Sequence, residues 1–118
     1  MSDQPVQPFC AIHSAQHVIG GKWTLVTIWH LREGRMRFGE LERAIGEISQ
    51  KALTDCLKHI EHEGLVTRTV HAEVPLRVEY ELTPFGRTLL PIVEALTTWA
   101  ERHQAEIFNH ATRTVALS

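Results

Sequence analysis

The feature that most constrains this fold is a change in the spacing of apolar residues at Gly64. On its N-terminal side, apolar residues recur every three or four positions, as they do on the buried face of a helix. On its C-terminal side the period becomes two, as in a half-buried strand. Apolar Val78, Tyr80 and Leu82 alternate with charged residues in 77–82, and Val66 and Val70 share a face with Arg68 in 65–70. Residues 71–76, which include Pro75, separate the two runs. The pattern therefore predicts helices followed by a β-hairpin.

Four segments before the hairpin have helical patterns, and glycine follows each of them. They cover about residues 11–19, 22–32, 38–44 and 49–63. The segment at 22–32 is apolar around most of its circumference, so we expect it in the middle of the fold. Ser49 is a favourable N-cap for the last of the four helices.

A final helix is predicted from Thr83 and Pro84 to about residue 109. Proline is tolerated at the first helical position, because an N–H there has no partner within the helix. Pro91 lies further inside, where a proline costs about 3 kcal/mol, so we predict a bend or a break there. The helix has more apolar positions than one small domain needs, and they include Leu89, Ile92, Val93, Leu96 and Trp99.

The bulk charge of the chain favours no class of partner. The net charge is −2 over 118 residues, and residues 22–87 contain ten basic and ten acidic side chains. Any contact with DNA must therefore come from a local basic face. Two cysteines do not make a disulfide framework, and the N-terminus has neither a basic start nor a long apolar run. We expect a cytoplasmic protein with reduced thiols, no signal peptide and no membrane partner.

The order of the elements predicts a mainly α-helical fold with a small β-hairpin, the winged helix-turn-helix. We expect a single domain at residues 10–118 behind a flexible tail at residues 1–9. The domain divides into an N-terminal helix at 10–21, a helix-turn-helix with its wing at 22–83, and a C-terminal helix at 84–109.

The helix at residues 49–63 has the division of faces that a DNA recognition helix needs. Its inward residues are apolar, while the polar residues near its N-terminus face outward and can enter the major groove. Glutamine pairs with adenine, lysine with guanine, and a threonine methyl group with thymine. The predicted contacts are Ser49, Gln50, Lys51, Thr54 and Lys58. The alternative is an ordinary solvated helix face, which the surrounding helices and hairpin disfavour.

Four arginines and one aspartate extend the predicted DNA-binding surface. Arg35 and Arg37 precede the third helix and are expected near flanking phosphates. Arg68 and Arg77 lie on opposite strands of the hairpin, where one or both can reach the DNA backbone or the minor groove. For each arginine, the alternative is a surface charge that only aids solubility. Asp55 either reads a cytosine amino group or forms a salt bridge with a lysine of its own helix.

Five short segments and one cysteine form a specific combination. They are IGGKW at 19–23, RFGEL at 37–41, ISQKALT at 48–54, LVTR at 65–68 and VPLRVEYELTPFG at 74–86, together with Cys10. Together they resemble the HxlR-type transcriptional regulators of bacteria over most of the chain. The resemblance implies a homodimer with its recognition helix at 49–63, a wing at 71–76, and an interface made by the N- and C-terminal helices.

Such a dimer binds a near-palindromic operator in double-stranded DNA, with its two recognition helices about 34 Å apart. Whether it represses or activates transcription, and whether a small-molecule effector controls it, stays open. The competing hypothesis is a protein-interaction or scaffold module that has the winged-helix fold but does not bind DNA. The equal numbers of basic and acidic residues in 22–87 motivate this alternative.

Cys10 and the nearby histidines allow further hypotheses. Some members of the family sense oxidants or electrophiles through a cysteine at this position, so the resemblance implies redox sensing by Cys10; the alternative is an unreactive interface residue. Cys56 lies on a buried helical stripe and is expected in the core. Cys10, His13 and His17 are spaced like metal ligands, but no fourth ligand is visible, so no metal or other cofactor is predicted. No catalytic set is recognisable, so an enzyme is not expected.

Overall fold

The computed structural model describes residues 10–117, with side chains described up to residue 110. The tail predicted at residues 1–9 lies outside the described residues. The helices are α1 (Ala11–Ile19), α2 (Thr24–His30), α3 (Phe38–Ile45), α4 (Gln50–His62), α5 (Pro84–Arg87), α6 (Leu90–Arg102) and α7 (Gln104–Leu117). The strands are β1 (Met36–Arg37), β2 (Val66–His71) and β3 (Arg77–Leu82).

The four helices predicted before the hairpin are confirmed, and their ends differ from the prediction by at most two residues. The second helix starts later than expected because the chain turns at Gly21, whose φ of 98° is a left-handed conformation that glycine adopts without strain. Ser49 caps α4, as predicted. The winged helix-turn-helix fold is therefore confirmed.

The predicted β-hairpin of β2 and β3 is confirmed, and the sheet also has a third strand, β1, that was not predicted. The strand order is β1-β3-β2, and both neighbours of β3 are antiparallel to it. Met36 lies opposite Tyr80 on one edge of β3, and Val70 lies opposite Val78 on the other. A strand of two residues has no alternation to detect, which is why β1 was not predicted.

Residues 84–109, predicted as one C-terminal helix with a bend or break at Pro91, contain α5, α6 and the start of α7 in the described part of the chain. The predicted break near Pro91 is confirmed, because α5 ends at Arg87 and α6 begins at Leu90. The proline lies in the first turn of α6, where its missing N–H removes no helical hydrogen bond. A second interruption, at His103 between α6 and α7, was not predicted.

The core lies between α2, α3, α4 and the sheet. Its fully buried side chains include Ile28, Leu31, Leu41, Leu53, Ile60 and Leu65. The central position predicted for the second helix is confirmed, and so is the core position of Cys56. Burial raises the pKa of the Cys56 thiol, whose Sγ lies 3.6 Å from Thr27 Oγ1. Within residues 10–117, no helix has the length and apolarity that crossing a membrane requires.

The start of α5 packs tightly against the turn that joins α4 to β2. The N–H of Thr83 donates to the Leu65 carbonyl at 3.0 Å, and its hydroxyl donates to the Gly64 carbonyl at 2.6 Å. The Thr83 hydroxyl also accepts the N–H of Gly86 at 2.9 Å. A Cβ atom at Gly86 would overlap with the Leu65 carbonyl oxygen, so only glycine fits at this junction.

Candidate nucleic-acid interface

The orientation of α4 follows from its cap and its buried stripe. The hydroxyl of Ser49 accepts the N–H of Ala52 at 3.0 Å, which satisfies one of the free donors at the helix start. Leu53, Leu57 and Ile60 anchor the opposite side of the helix in the core. The N-terminal half of α4 therefore presents its polar residues to the outside.

The outermost residues of α4 form a stripe of charged and ionisable side chains, which we call the outer stripe. Its members, spaced four, three and four positions apart, are Lys51, Asp55, Lys58 and His62, all exposed. Lys51 Nζ lies 2.7 Å from Asp55 Oδ2. This hydrogen bond and the attraction of opposite charges raise the pKa of Lys51 and lower that of Asp55, so both groups stay charged at neutral pH.

Gln50 and Thr54 lie beside the outer stripe, near the start of the helix. Gln50 is exposed, and Thr54 is half-buried. The Thr54 hydroxyl donates to the Gln50 carbonyl at 2.8 Å. The Thr54 hydroxyl has therefore used its one donor within the helix, and its oxygen can still accept a hydrogen bond.

A cleft of about 340 Å³ separates α4 from the sheet. Thr54 and Lys58 line it on the helix side, Arg68 and Tyr80 on the sheet side, and Glu61 also borders it. Among residues 10–110, neither Lys58 nor Arg68 forms an ion pair. The cleft therefore has a cation on each wall that remains available to an anion.

The four arginines predicted to contact DNA fall into two groups. Arg35 and Arg77 are engaged by carboxylates: Arg35 lies 3.7 Å from Glu79 and 3.8 Å from Glu81, and Arg77 lies 3.1 Å from Glu73. Arg37 and Arg68 are exposed and, within the part of the chain with described side chains, have no carboxylate partner at salt-bridge distance.

Sequence reasoning missed the acidic cluster at the base of the wing. Glu79 is its centre, and its Oε1 lies 2.7 Å from His71 Nε2. Burial of the Glu79 carboxyl acts to raise its pKa, but the hydrogen bond from His71 and the nearby positive charges outweigh this effect and lower it. The register of the hairpin places His71 on β2 opposite Arg77 on β3, and Glu79 lies two residues after Arg77. That proximity is the signal that could have revealed the cluster once the strand register was known.

The apolar residues predicted for dimerisation fall into two groups, one buried and one exposed. Val93 is buried within this chain, and Leu89 packs against the core. The side chains that remain exposed are Ile92 at 50%, Leu96 at 44% and Trp99 at 57%. Further along the chain, Ile107 and Phe108 of α7 are also exposed, so the apolar surface continues beyond α6.

Cys10 lies at the N-cap of α1 and is exposed. Its carbonyl accepts the N–H of Ser14 at 2.9 Å, which starts the helix. His17 is directed toward α4, where its Nε2 lies 3.2 Å from Glu63 Oε1. In the described region, no three His, Cys, Asp or Glu side chains are arranged to hold a metal ion.

Known proteins match this chain in both sequence and structure. The family model for HxlR-like helix-turn-helix proteins matches residues 18–108. An uncharacterised HTH-type transcriptional regulator of Methanothermobacter thermautotrophicus is 42% identical over 94 residues, which cover 80% of this chain and 72% of that protein. The regulator YdeP of Bacillus subtilis, also uncharacterised, is 38% identical over 98 residues, 83% of this chain and 77% of YdeP.

A solved structure extends the likeness to three dimensions. The redox regulator HypR in its reduced form superposes with a TM-score of 0.79 at 39% identity, over 85% of this chain and 99% of that one. The family match, the curated relatives and the superposition cover the same helix-turn-helix and wing. The chain belongs to the HxlR-like helix-turn-helix family.

Proposed function

We propose that this protein is a transcriptional regulator that binds double-stranded DNA sequence-specifically and places α4 in the major groove. The observation that carries the proposal is the outer stripe of α4, which is polar and exposed beside a β-sheet wing in a helix-turn-helix of the HxlR-like family. A recognition helix meets base edges with its N-terminal residues, and here these are Gln50, Lys51 and Thr54. The comparisons give no support to a scaffold without DNA binding.

Two cations beside the helix are the strongest candidates for contacts with the DNA backbone. Lys58 and Arg68 line the cleft between α4 and the sheet from opposite sides. Neither has a carboxylate at salt-bridge distance among the described side chains, so both are available to a phosphate, although Asp55 attracts Lys58 at longer range and Glu61 borders the cleft. Arg35 and Arg77 must first give up their ion pairs, so their share of the binding free energy is expected to be smaller.

The proposed functional unit is a homodimer. Ile92, Leu96 and Trp99 leave an apolar surface on α6 that one protomer does not cover. Burying such a surface against a second copy is favourable by about 25 cal/mol for each Å² of apolar area removed from water. A two-fold axis would set the two α4 helices about one DNA turn, roughly 34 Å, apart on a near-palindromic operator.

The direct test is a fluorescence anisotropy titration with duplexes from the promoter region next to the gene of this protein. We expect one duplex to bind more tightly than a scrambled sequence of equal length, with an affinity that falls as salt rises. Equal affinity for all duplexes, or no salt-sensitive binding at any tested intergenic site, would contradict the proposed function.

The division of the arginines predicts unequal effects of two matched substitutions. Arg68→Ala should weaken binding to all duplexes by a similar factor and reduce the slope of log affinity against log salt by about 1, because one phosphate contact is lost. Arg77→Ala should change that slope less, because Glu73 already engages this arginine. The measurement is anisotropy at four salt concentrations, and an equal slope change in both variants would contradict the division.

We also propose that oxidation of Cys10 regulates DNA binding. The thiol is exposed at the start of α1, and the solved relative HypR is described as a redox regulator. The thiolate is the reactive form of cysteine, and an exposed thiol can be reached by an oxidant. With diamide, the Cys10 thiols of two protomers would lose two protons and two electrons and form one disulfide, while the azo group becomes a hydrazine.

Cys10→Ser is expected to keep the affinity for the operator but to remove its response to diamide. Cys56→Ala is the matched control, because this thiol is buried and its raised pKa keeps it protonated. Non-reducing electrophoresis should show a covalent dimer for the wild type and for Cys56→Ala. A response to diamide that survives in Cys10→Ser would exclude Cys10 as the sensor.

A further inference from the structure

The ion pair between Lys51 and Asp55 lies on the solvent-exposed face of α4. It lies on the outer stripe, opposite the buried residues Leu53 and Leu57, and both side chains are open to solvent, at 85% and 58%. Asp55 borders a pocket that residues 20–24, at the turn before α2, also line, and both side chains of the pair remain open to solvent. Any duplex that receives α4 in its major groove must therefore meet an ammonium and a carboxylate side by side.

A carboxylate in this position is unfavourable for binding DNA in general. DNA carries a phosphate charge about every 1.7 Å along its axis, and the attraction of basic side chains to it is independent of sequence. Asp55 lies 2.7 Å from Lys51 and offsets that attraction. Its lowered pKa keeps it ionised, so it can only accept hydrogen bonds.

The edge of a G·C pair in the major groove has the complementary order of groups. Guanine presents two acceptors, N7 and O6, and cytosine presents the N4 amino donor beside them. An A·T pair has a donor, the adenine N6 amino group, at the place of O6, and an acceptor, thymine O4, at the place of N4. Two of the three positions are therefore reversed between the two kinds of base pair.

We infer that Lys51 and Asp55 act together to read one G·C pair in each half-site, with Lys51 on guanine and Asp55 on the cytosine amino group. This inference rests on the proposed function of α4 as the recognition helix. Asp55 is then a specificity-determining residue, because its charge repels a base pair that presents an acceptor, such as thymine O4, at the place of the cytosine amino group. It lowers affinity for arbitrary DNA while Lys51 and Asp55 together favour the cognate base pair.

The test is a competition titration in which each base pair of one half-site is replaced in turn. The wild type should prefer G·C over A·T at one position by about ten- to a hundred-fold, the range of a good base contact. Asp55→Ala should reduce the preference at that position to less than about threefold and bind scrambled duplexes more tightly. Lys51→Ala should lose the preference at the same position but bind scrambled duplexes more weakly.

Glu61→Ala is the matched control, since it removes one exposed negative charge from the same helix away from the outer stripe. It should strengthen binding to every duplex alike and keep the base profile of the wild type. If Asp55→Ala behaves like Glu61→Ala while the wild type still binds its operator selectively, the inference is wrong and the proposed function stands. If the wild type shows no sequence preference, both are overturned.

Discussion

Replacing Gly86 with alanine is expected to lower the free energy of unfolding by about 3 kcal/mol, the upper part of the usual range for inserting an atom into a packed interior. The added Cβ would overlap with the Leu65 carbonyl oxygen, which is a backbone atom that cannot rotate away. Relief requires α5 to move off the turn after α4, and this breaks the bond from Thr83 N–H to the same carbonyl. The expected fall in Tm is roughly 10–15 °C.

Thermal and urea unfolding measure this effect. Both are done at one fixed protein concentration, because the proposed dimerisation would make stability depend on concentration. Gly39→Ala is the matched control. A Cβ at Gly39 would meet the Arg43 side chain at 3.5 Å, an ordinary contact, and alanine favours the helical conformation of α3. A Gly86→Ala variant as stable as Gly39→Ala would contradict the close packing described at this junction.

Leu96→Glu is expected to produce a monomer that binds the operator at least about a hundredfold more weakly, because joining two half-site contacts typically raises affinity by factors of 10² to 10⁴. Leu96 is exposed on α6 between Ile92 and Trp99, so the new carboxylate would lie within the proposed interface. Desolvating it there without a partner is unfavourable. In the isolated chain Leu96 borders an apolar pocket with Leu25, Val26 and Trp29 but is already 44% exposed, so a carboxylate there can reach water and the fold should be retained.

Light scattering coupled to size exclusion gives the mass in solution, and anisotropy gives the operator affinity of the same sample. Thr98→Glu is the control, since Thr98 is exposed on the side of α6 that carries Glu94 and Glu101. It should leave both the dimer and its affinity intact. A Leu96→Glu protein that remains a dimer would place the interface on another surface.

The parts of the fold that could be predicted from the sequence depend on neighbours in the chain. The cap of α4 is a hydrogen bond between Ser49 and Ala52, and the cap of α5 is one between Thr83 and Gly86. Each hydrogen bond lies within four consecutive residues, so it can be recognised from the local sequence. β1 could not be predicted, because Met36 and Arg37 become a strand only when β3 supplies an edge to them. The interruption at His103 has no glycine or proline beside it, and the structure offers no local cause for it.

In the candidate site, too, contacts between near neighbours in the chain could be predicted, whereas contacts between distant residues could not. The pairing of Lys51 with Asp55 is one helical turn long, so the sequence already offered it as an alternative to base reading. The engagement of Arg35 by Glu79 and Glu81 depends on β1 lying beside β3, a contact between residues more than forty positions apart. From the sequence alone, Arg35 and Arg68 therefore look alike, although only one of them has its charge neutralised.

The short strand β1 has a mechanical consequence. It continues directly into α3 and is hydrogen-bonded to β3, so the helix-turn-helix and the wing share one sheet and are expected to move as a single rigid body. A signal at α1 or α6, such as the proposed oxidation of Cys10, is then expected to change the position of α4 relative to its own wing very little. What such a signal can change is the angle between the two halves of the proposed dimer. Since one base pair rotates DNA by about 35°, inserting a single base pair between the half-sites should mimic or cancel the effect of the signal.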